Sequence, residues 1–382
     1  MLTIRGRELH PLVQGGMGVG ISAHRLAGAV AKENCLGTIS SVDLRRHHPD
    51  LMRATGRLRD RAAIEAANLV ALNREIHAAR EIAAGNGLIA VNVMRAVSQY
   101  PGYVRQACES GADAIVVGAG LPFDLPELTA DYPDVALIPI LSEARAIGLV
   151  LRKWMRKGRL PDAIVIEHPR YAGGHLGAAR IEDLTDPRFD FPLVLEQTCV
   201  LLRELGIERE RVPLIPAGGI DMPQKLRALL ALGAAAVQIG TPFAVTEEGD
   251  AHANFKKVLA EAKPEDIVEF MSVAGLPARA VRTPWLDRYL KHLPRLQAAA
   301  RKKRRCTLKF DCLATCGLRD GIARIGQFCI DTQLAAALRG DVAKGLFFRG
   351  ASSLPFGREI RPVRELLDYL LTGARPAPMQ PA

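Results

Sequence analysis

The chain has 382 residues, 48% of them hydrophobic and 24% charged, and 51 Lys and Arg against 41 Asp and Glu give a formal net charge of +10. That balance excludes collagen-like, disordered and small disulfide-scaffold classes, and it leaves room for one large domain or one domain plus an appendage. Aromatic residues at 5% mean that the core has to be built from Ala, Val, Leu and Ile.

The longest apolar stretch, 228–245, is broken by Gly233, Gln238, Gly240 and Pro242, so no membrane span is expected. The opening MLTIRGRELH lacks the apolar run of a signal peptide, and a cytoplasmic protein is expected. The basic excess collects at Arg152, Lys153, Arg156, Lys157 and Arg159, and again at Arg301, Lys302, Lys303, Arg304 and Arg305. No aromatic residues interleave with them for base stacking. They read as solvated surface or as attraction for acidic substrates or carriers, not as a nucleic-acid surface.

In chain order, short apolar runs at 12–13, 38–39, 89–93, 114–117, 137–140, 163–166, 214–216 and 235–239 read as strands. Between them, 23–32, 103–110, 143–156, 193–205 and 224–232 carry apolar residues three and four apart, the helical period. Strands apolar on both faces and alternating with helices imply parallel pairing with right-handed crossovers. Eight such units in roughly 240 residues predict an α/β fold, a closed (β/α)8 TIM barrel, in preference to an open doubly wound sheet. An open dinucleotide-binding sheet calls for G-x-G-x-x-G after an early strand, and Gly15-Gly16-Met17-Gly18-Val19-Gly20 does not keep that order.

The domain expectation is a barrel over 1–263, with inserted helices at about 43–84, followed by a helical and irregular extension over 264–382. The tail 376–382 is expected to be disordered.

In a barrel of this kind function sits in the loops after the strands. After the first come Gly16 and Met17, after the third Asn92, and after the sixth Glu167 and then Ala172, Gly173 and His175. After the seventh come Ala217, Gly218 and Gly219, and Gln238, Gly240 and Thr241 surround the end of the eighth. Loops after strands seven and eight often bind phosphate in this fold, and these glycines bare main-chain N–H groups there. His175, enclosed by glycines, is a candidate general base or hydrogen-bond donor near neutral pH. His168 ranks below it, His47 and His48 read as solvent-exposed in a polar turn, and His252 reads as a helix cap or pocket-rim residue.

Cys35, Cys108 and Cys199 are scattered in apolar contexts, whereas Cys306, Cys312, Cys316 and Cys329 fall in one 24-residue stretch spaced C-x5-C-x3-C-x12-C. Four thiolates so placed could ligate an iron–sulfur cluster or Zn, and neighbouring Arg and Lys would lower their pKa values; free structural or redox thiols are the other reading.

The ordered set Gln14-Gly15-Gly16-Met17, Val91-Asn92-Val93-Met94, Ala172-Gly173-Gly174-His175-Leu176-Gly177, Ile215-Pro216-Ala217-Gly218-Gly219-Ile220 and Gln238-Ile239-Gly240-Thr241-Pro242-Phe243 resembles the nitronate monooxygenase family, related to the FMN-dependent bacterial enoyl-ACP reductases. The resemblance covers roughly residues 1–285. It implies a TIM barrel with non-covalent FMN, the phosphate held at Gly218-Gly219 and Gly240-Thr241, and Gly16, Met17, Asn92, Glu167, Ala172 and Gly173 along the ring and ribityl chain. It also implies His175 as the catalytic histidine. Two departures stand out: one extra residue through His168-Pro169-Arg170-Tyr171, and Pro242 where the family often carries Arg.

The leading functional expectation is an FMN-dependent oxidoreductase that converts alkyl nitronates and O2 to carbonyl compounds and nitrite. The alternative is an NAD(P)H-dependent flavin reductase acting on enoyl thioesters, delivered by an acidic acyl carrier, or on quinones. A non-catalytic phosphate-ligand-binding barrel is the third. The expected partner is a small-molecule substrate, and no signature for an oligomeric state is legible.

Overall fold

The computed structural model describes residues 1–377. Eight parallel strands form a closed barrel: β1 (Leu12–Gln14), β2 (Leu36–Ser40), β3 (Leu88–Met94), β4 (Ala114–Gly118), β5 (Ala136–Leu141), β6 (Ile164–Glu167), β7 (Leu214–Ala217) and β8 (Val237–Ile239). Each pairs with the next in sequence, and β8 returns to β1 through Val237–Leu12, Gln238–Val13 and Ile239–Gln14. The eight expected strands are all present; the last is shorter, because Ala235 and Ala236 lead into it.

The barrel interior is packed with small side chains, among them Val13, Ala90, Ala114, Val116, Ala136, Val165 and Ala217. Leu2, Ile4 and Leu9, from an antiparallel hairpin of strands Leu2–Ile4 and Arg7–Leu9, join this cluster. Outward-facing residues such as Ile39, Val91, Ile115 and Leu137 meet the surrounding helices in a second, larger cluster. The low aromatic content is therefore no handicap: close approach of backbones replaces bulk. A Cβ at Gly37 would lie 1.9 Å from the Ala27 carbonyl oxygen, so only glycine lets the helix His24–Lys32 settle on β2.

The insertion after β2 contains helices Pro49–Thr55 and Arg61–Ala83, the second capped by Asp60 accepting from the Ala62 and Ala63 N–H groups. His47 and His48 are not free in solvent as expected. The polar turn packs back on the helix, placing His47 Nε2 2.8 Å from the Gly20 carbonyl and His48 Nε2 2.9 Å from the buried Glu75 carboxylate.

Residues 264–377 differ from the expected helical and irregular region. They begin with an antiparallel hairpin, β9 (Ile267–Met271) and β10 (Pro277–Val281). β10 pairs with the two-residue strand Gly174–His175 in the loop after β6, with Ala278 opposite His175. The run Pro-Ala-Arg-Ala-Val was illegible as a strand because Pro and a central Arg, buried here as Arg279, disguise it. The expected disorder of 376–382 falls mainly outside the described residues, although the Ala377 carbonyl accepts from Arg361 Nη2 at 2.7 Å.

Candidate functional site

The loops at the C-terminal ends of the strands enclose a cavity of about 610 Å³, within the usual range for small-molecule and cofactor sites. Gly16, Met17, Asn92, Glu167, Ala172, Gly173, His175, Ala217, Gly218, Gly219, Gln238, Gly240 and Thr241 all line it, so residues spread over 226 positions of chain converge on one space.

The floor of the cavity is shaped by missing side chains. A Cβ at Gly16 would lie 2.3 Å from Asn92 Cβ, so the chain after β1 rests directly against the amide at the end of β3. Gly218 and Gly219 have φ of +103° and +82°, conformations open to glycine and strained for other residues. They turn the chain beneath Tyr171, whose ring atoms would lie 3.0–3.1 Å from a Cβ at Gly219. Gly240 has only Met17 Sδ, at 3.8 Å, near its would-be Cβ. Such a surface leaves room for a flat ligand close to main chain and for an anionic group near bare N–H groups, so the residues present fit a flavin nucleotide.

Two titratable groups face this space with shifts in opposite senses. Burial lowers the His175 imidazole to about 4, so the ring is neutral at pH 7. Its Nε2 lies 2.8 Å from Ser272 Oγ, which in turn accepts from the Ala274 N–H at 3.0 Å. Phe348 packs edge-on to the ring with centroids 5.6 Å apart. Burial raises the Glu167 carboxyl to about 7, against the opposing pull of Arg279 and the Gly177 N–H. A neutral carboxylic acid can both donate and accept a hydrogen bond.

Arg279 explains why β10 carries a charge inward. Only 2% exposed, it donates to the carbonyls of Pro169, at 3.1 Å, and Ala172, and its Nε meets Glu269 Oε1 at 3.1 Å. It thus ties down the loop between β6 and His175. Sequence reasoning missed Arg279, Ser272, Phe348 and Arg349, another cavity-lining residue. All four come from the extension after the barrel, with no local motif, and only tertiary pairing brings them to the site.

His168 is buried against Tyr171 and Phe191, and its Nε2 lies 3.2 Å from Asp190 Oδ1. It does not line the cavity and is structural. His252 does cap a helix, its side chain accepting from the Asn254 N–H at 3.1 Å.

Of the four clustered cysteines, Cys312 reaches the cavity wall and Cys306, Cys316 and Cys329 do not. Among the described residues no group of three or more His, Cys, Asp or Glu side chains is arranged to hold a metal ion. The expected lowering of the thiol pKa values by nearby Arg and Lys is not what the packing gives. Burial, with Asp331 and the neighbouring Cys306, Cys316 and Cys329, pushes Cys312 well above its ordinary value, and burial raises Cys329. No helix among the described residues is long and apolar enough to cross a membrane.

Comparison with known proteins gives the family and the fold. A family model described as nitronate monooxygenase matches residues 6–373. A probable nitronate monooxygenase of Bacillus subtilis is 27% identical over 286 residues, 72% of this chain and 78% of that protein. A Mycobacterium tuberculosis protein named as a putative monooxygenase is 30% identical over 126 residues, so the match spans 33% of this chain and 29% of that longer protein. Among solved structures, FabK from Thermotoga maritima superposes with a TM-score of 0.64 at 22% identity, over 95% of this chain and 91% of its own. A nitroalkane oxidase from Streptomyces ansochromogenes gives 0.62 at 18% identity, over 94% of each chain. These two establish the shared barrel.

Proposed function

The chain belongs to the nitronate monooxygenase family, a family of FMN-dependent oxidoreductases, and from that membership we propose that it oxidises alkyl nitronates with O2 to carbonyl compounds and nitrite in the cytoplasm. The observation that carries this reading is the placement of His175, neutral and at the wall of a glycine-floored cavity, on the loop that β10 pins in place.

FMN, when bound, supplies the electron acceptor and the reactivity toward O2; the protein supplies position and electrostatics. Gly218, Gly219, Gly240 and Thr241 would hold its phosphate, and Gly16, Met17, Asn92, Glu167, Ala172, Gly173, Ala217 and Gln238, which line the same cavity, would border its ring and chain. His175, kept neutral by burial, donates a hydrogen bond to the anionic substrate from the ring nitrogen that Ser272 leaves free. Ser272 holds the imidazole in one orientation. Glu167, raised to about 7 and so about half protonated at pH 7, offers in its neutral form a hydrogen bond without placing a negative charge beside an anion.

The competing chemistry, NAD(P)H-driven reduction of thioesters on an acidic carrier, loses one of its two basic runs. Arg152–Arg159 spans the end of the helix Ala144–Met155 and the approach to β6, at the opposite end of the strands from the cavity. There Arg159 pairs with Asp162 at 2.6 Å and Lys157 with Glu127. The test is nitrite release and O2 uptake with a simple alkyl nitronate in air. Turnover that requires FMN supports the reading, and an FMN-loaded enzyme without nitrite release overturns it.

A further inference from the structure

Two arginines line the cavity, and they differ in one respect. Arg188 is surrounded by Glu143, Asp183 and Asp186 at 3.4–3.5 Å. Arg349 is 4% exposed, yet no carboxylate among the described residues lies within ion-pair distance of it. Its Nε donates to the Leu259 carbonyl at 3.0 Å and its Nη1 to the Gly350 carbonyl at 2.8 Å, two neutral acceptors. A guanidinium has five N–H donors in a rigid fork, and the remaining ones have no protein acceptor among the described residues. Burial is the cause that acts on its pKa, downward, with no acid to offset it. An arginine so enclosed costs free energy unless an anion arrives to meet it.

The segment that carries Arg349 is fastened where that anion would sit. Phe347 accepts from the Val281 N–H at 2.8 Å and Phe348 bridges to Ala280, so the strap lies along β10. The Gly350 N–H donates to Thr241 Oγ1 at 2.9 Å, and the Ala351 N–H to the Tyr171 carbonyl at 3.1 Å. Because Thr241 Oγ1 accepts from the strap, its own hydroxyl proton is free to donate into the cavity. Gly173 closes the fit: a Cβ there would lie 2.6 Å from Arg349 C and Gly350 N. Ser352 and Ser353 add hydroxyls to the same wall. The strap thus touches the Gly240-Thr241 loop and the Tyr171–Gly173 segment, and it carries the one cavity-lining arginine that has no acidic partner among the described residues.

We propose that Arg349, delivered by the strap 346–353, is the cation that binds the phosphate of the flavin nucleotide, so that the region beyond the barrel decides between a phosphorylated and an unphosphorylated flavin. This rests on the FMN reading above.

The test is a titration of flavin-free full-length protein with FMN and with riboflavin, followed by quenching of flavin fluorescence, for the wild type, Arg349→Met and Arg349→Lys. Arg349→Met is expected to weaken FMN binding roughly 10- to 100-fold, the scale of losing charge-assisted hydrogen bonds, with riboflavin binding unchanged. Arg349→Lys, which keeps the charge without the fork, is expected to fall between. Unchanged riboflavin binding also shows that the variant is folded. An FMN-to-riboflavin preference that Arg349→Met leaves intact overturns the assignment, as does equal loss of both ligands, which marks Arg349 as a clamp for the strap. A wild-type chain that binds neither flavin fails at the earlier step and overturns the FMN reading together with the role of Arg349.

Discussion

His175 Nε2 lies 2.8 Å from Ser272 Oγ, a contact between the loop after β6 and the tight turn of the β9–β10 hairpin, 97 residues further along the chain. One ring nitrogen is committed to this partner, and the reactive capacity of the imidazole rests on the other. The consequence is a graded pair of variants. His175→Ala is expected to retain FMN and to lower kcat by about 100-fold or more, the scale of losing a preorganised donor to an anion. Ser272→Ala should lower kcat by roughly 5- to 10-fold, the worth of one hydrogen bond. Steady-state nitrite release with flavin occupancy measured in parallel distinguishes the two; full kcat in His175→Ala removes the histidine from the mechanism.

Glu167 offers a prediction with a defined sign. Its folded-state value is raised to about 7 from an ordinary 4.5, so the carboxyl favours folding in its neutral form. Its favourable contribution is complete below about pH 4.5 and is lost as pH rises through 7. Glu167→Gln, which keeps the neutral shape, should therefore match the wild type in thermal midpoint near pH 4.5 and exceed it increasingly toward pH 8. An advantage confined to acid pH would contradict the burial argument.

The phosphate site is best probed at Gly240. Unlike Gly219, which has positive φ and Tyr171 above it, Gly240 has ordinary backbone geometry and open space where a Cβ would go. Gly240→Ala should bind FMN within a few-fold of the wild type. Gly240→Asp places a carboxylate beside the phosphate and should release the flavin, while thermal stability in the flavin-free state stays near that of the wild type. Equal FMN affinity in both variants would move the phosphate elsewhere.

Glu75 anchors the insertion to the barrel. Fully buried, it meets His24 Nδ1 at 2.7 Å and His48 Nε2 at 2.9 Å, and these partners hold its carboxyl down to about 2. A depressed carboxylate stabilises the fold above about pH 4.5, and that stability is lost as pH falls toward 2. Glu75→Ala should cost about 1.5–3 kcal/mol at neutral pH, the worth of hydrogen bonds to a charged group. Denaturant unfolding at pH 7 and pH 3 should show the difference between wild type and variant shrinking at the lower pH.

The barrel was legible because each strand is a short apolar run set off by turn residues, and because glycines after β1, β7 and β8 recur where a parallel barrel opens its loops. The residues that complete the site were not. Ser272, Arg279, Phe348 and Arg349 act through contacts with Pro169, Ala172, His175 and Gly173, none of which is near them in sequence. A buried arginine that binds carbonyls reads as an ordinary surface charge until the loop it holds is seen. The cysteine spacing showed that Cys306, Cys312, Cys316 and Cys329 gather, and the other three thiols do act on Cys312, but it did not show that Cys312 alone of the four reaches the cavity wall.

The most direct measurement is anaerobic rapid mixing of the FMN-loaded protein with an alkyl nitronate, and separately with NADH and NADPH, following flavin absorbance near 450 nm. Loss of that absorbance on mixing with the nitronate, with the oxidised spectrum unchanged by either nicotinamide, is the predicted result. A flavin that the nitronate leaves oxidised and that NADH or NADPH bleaches within seconds would contradict nitronate oxidation and assign the site to a reductase.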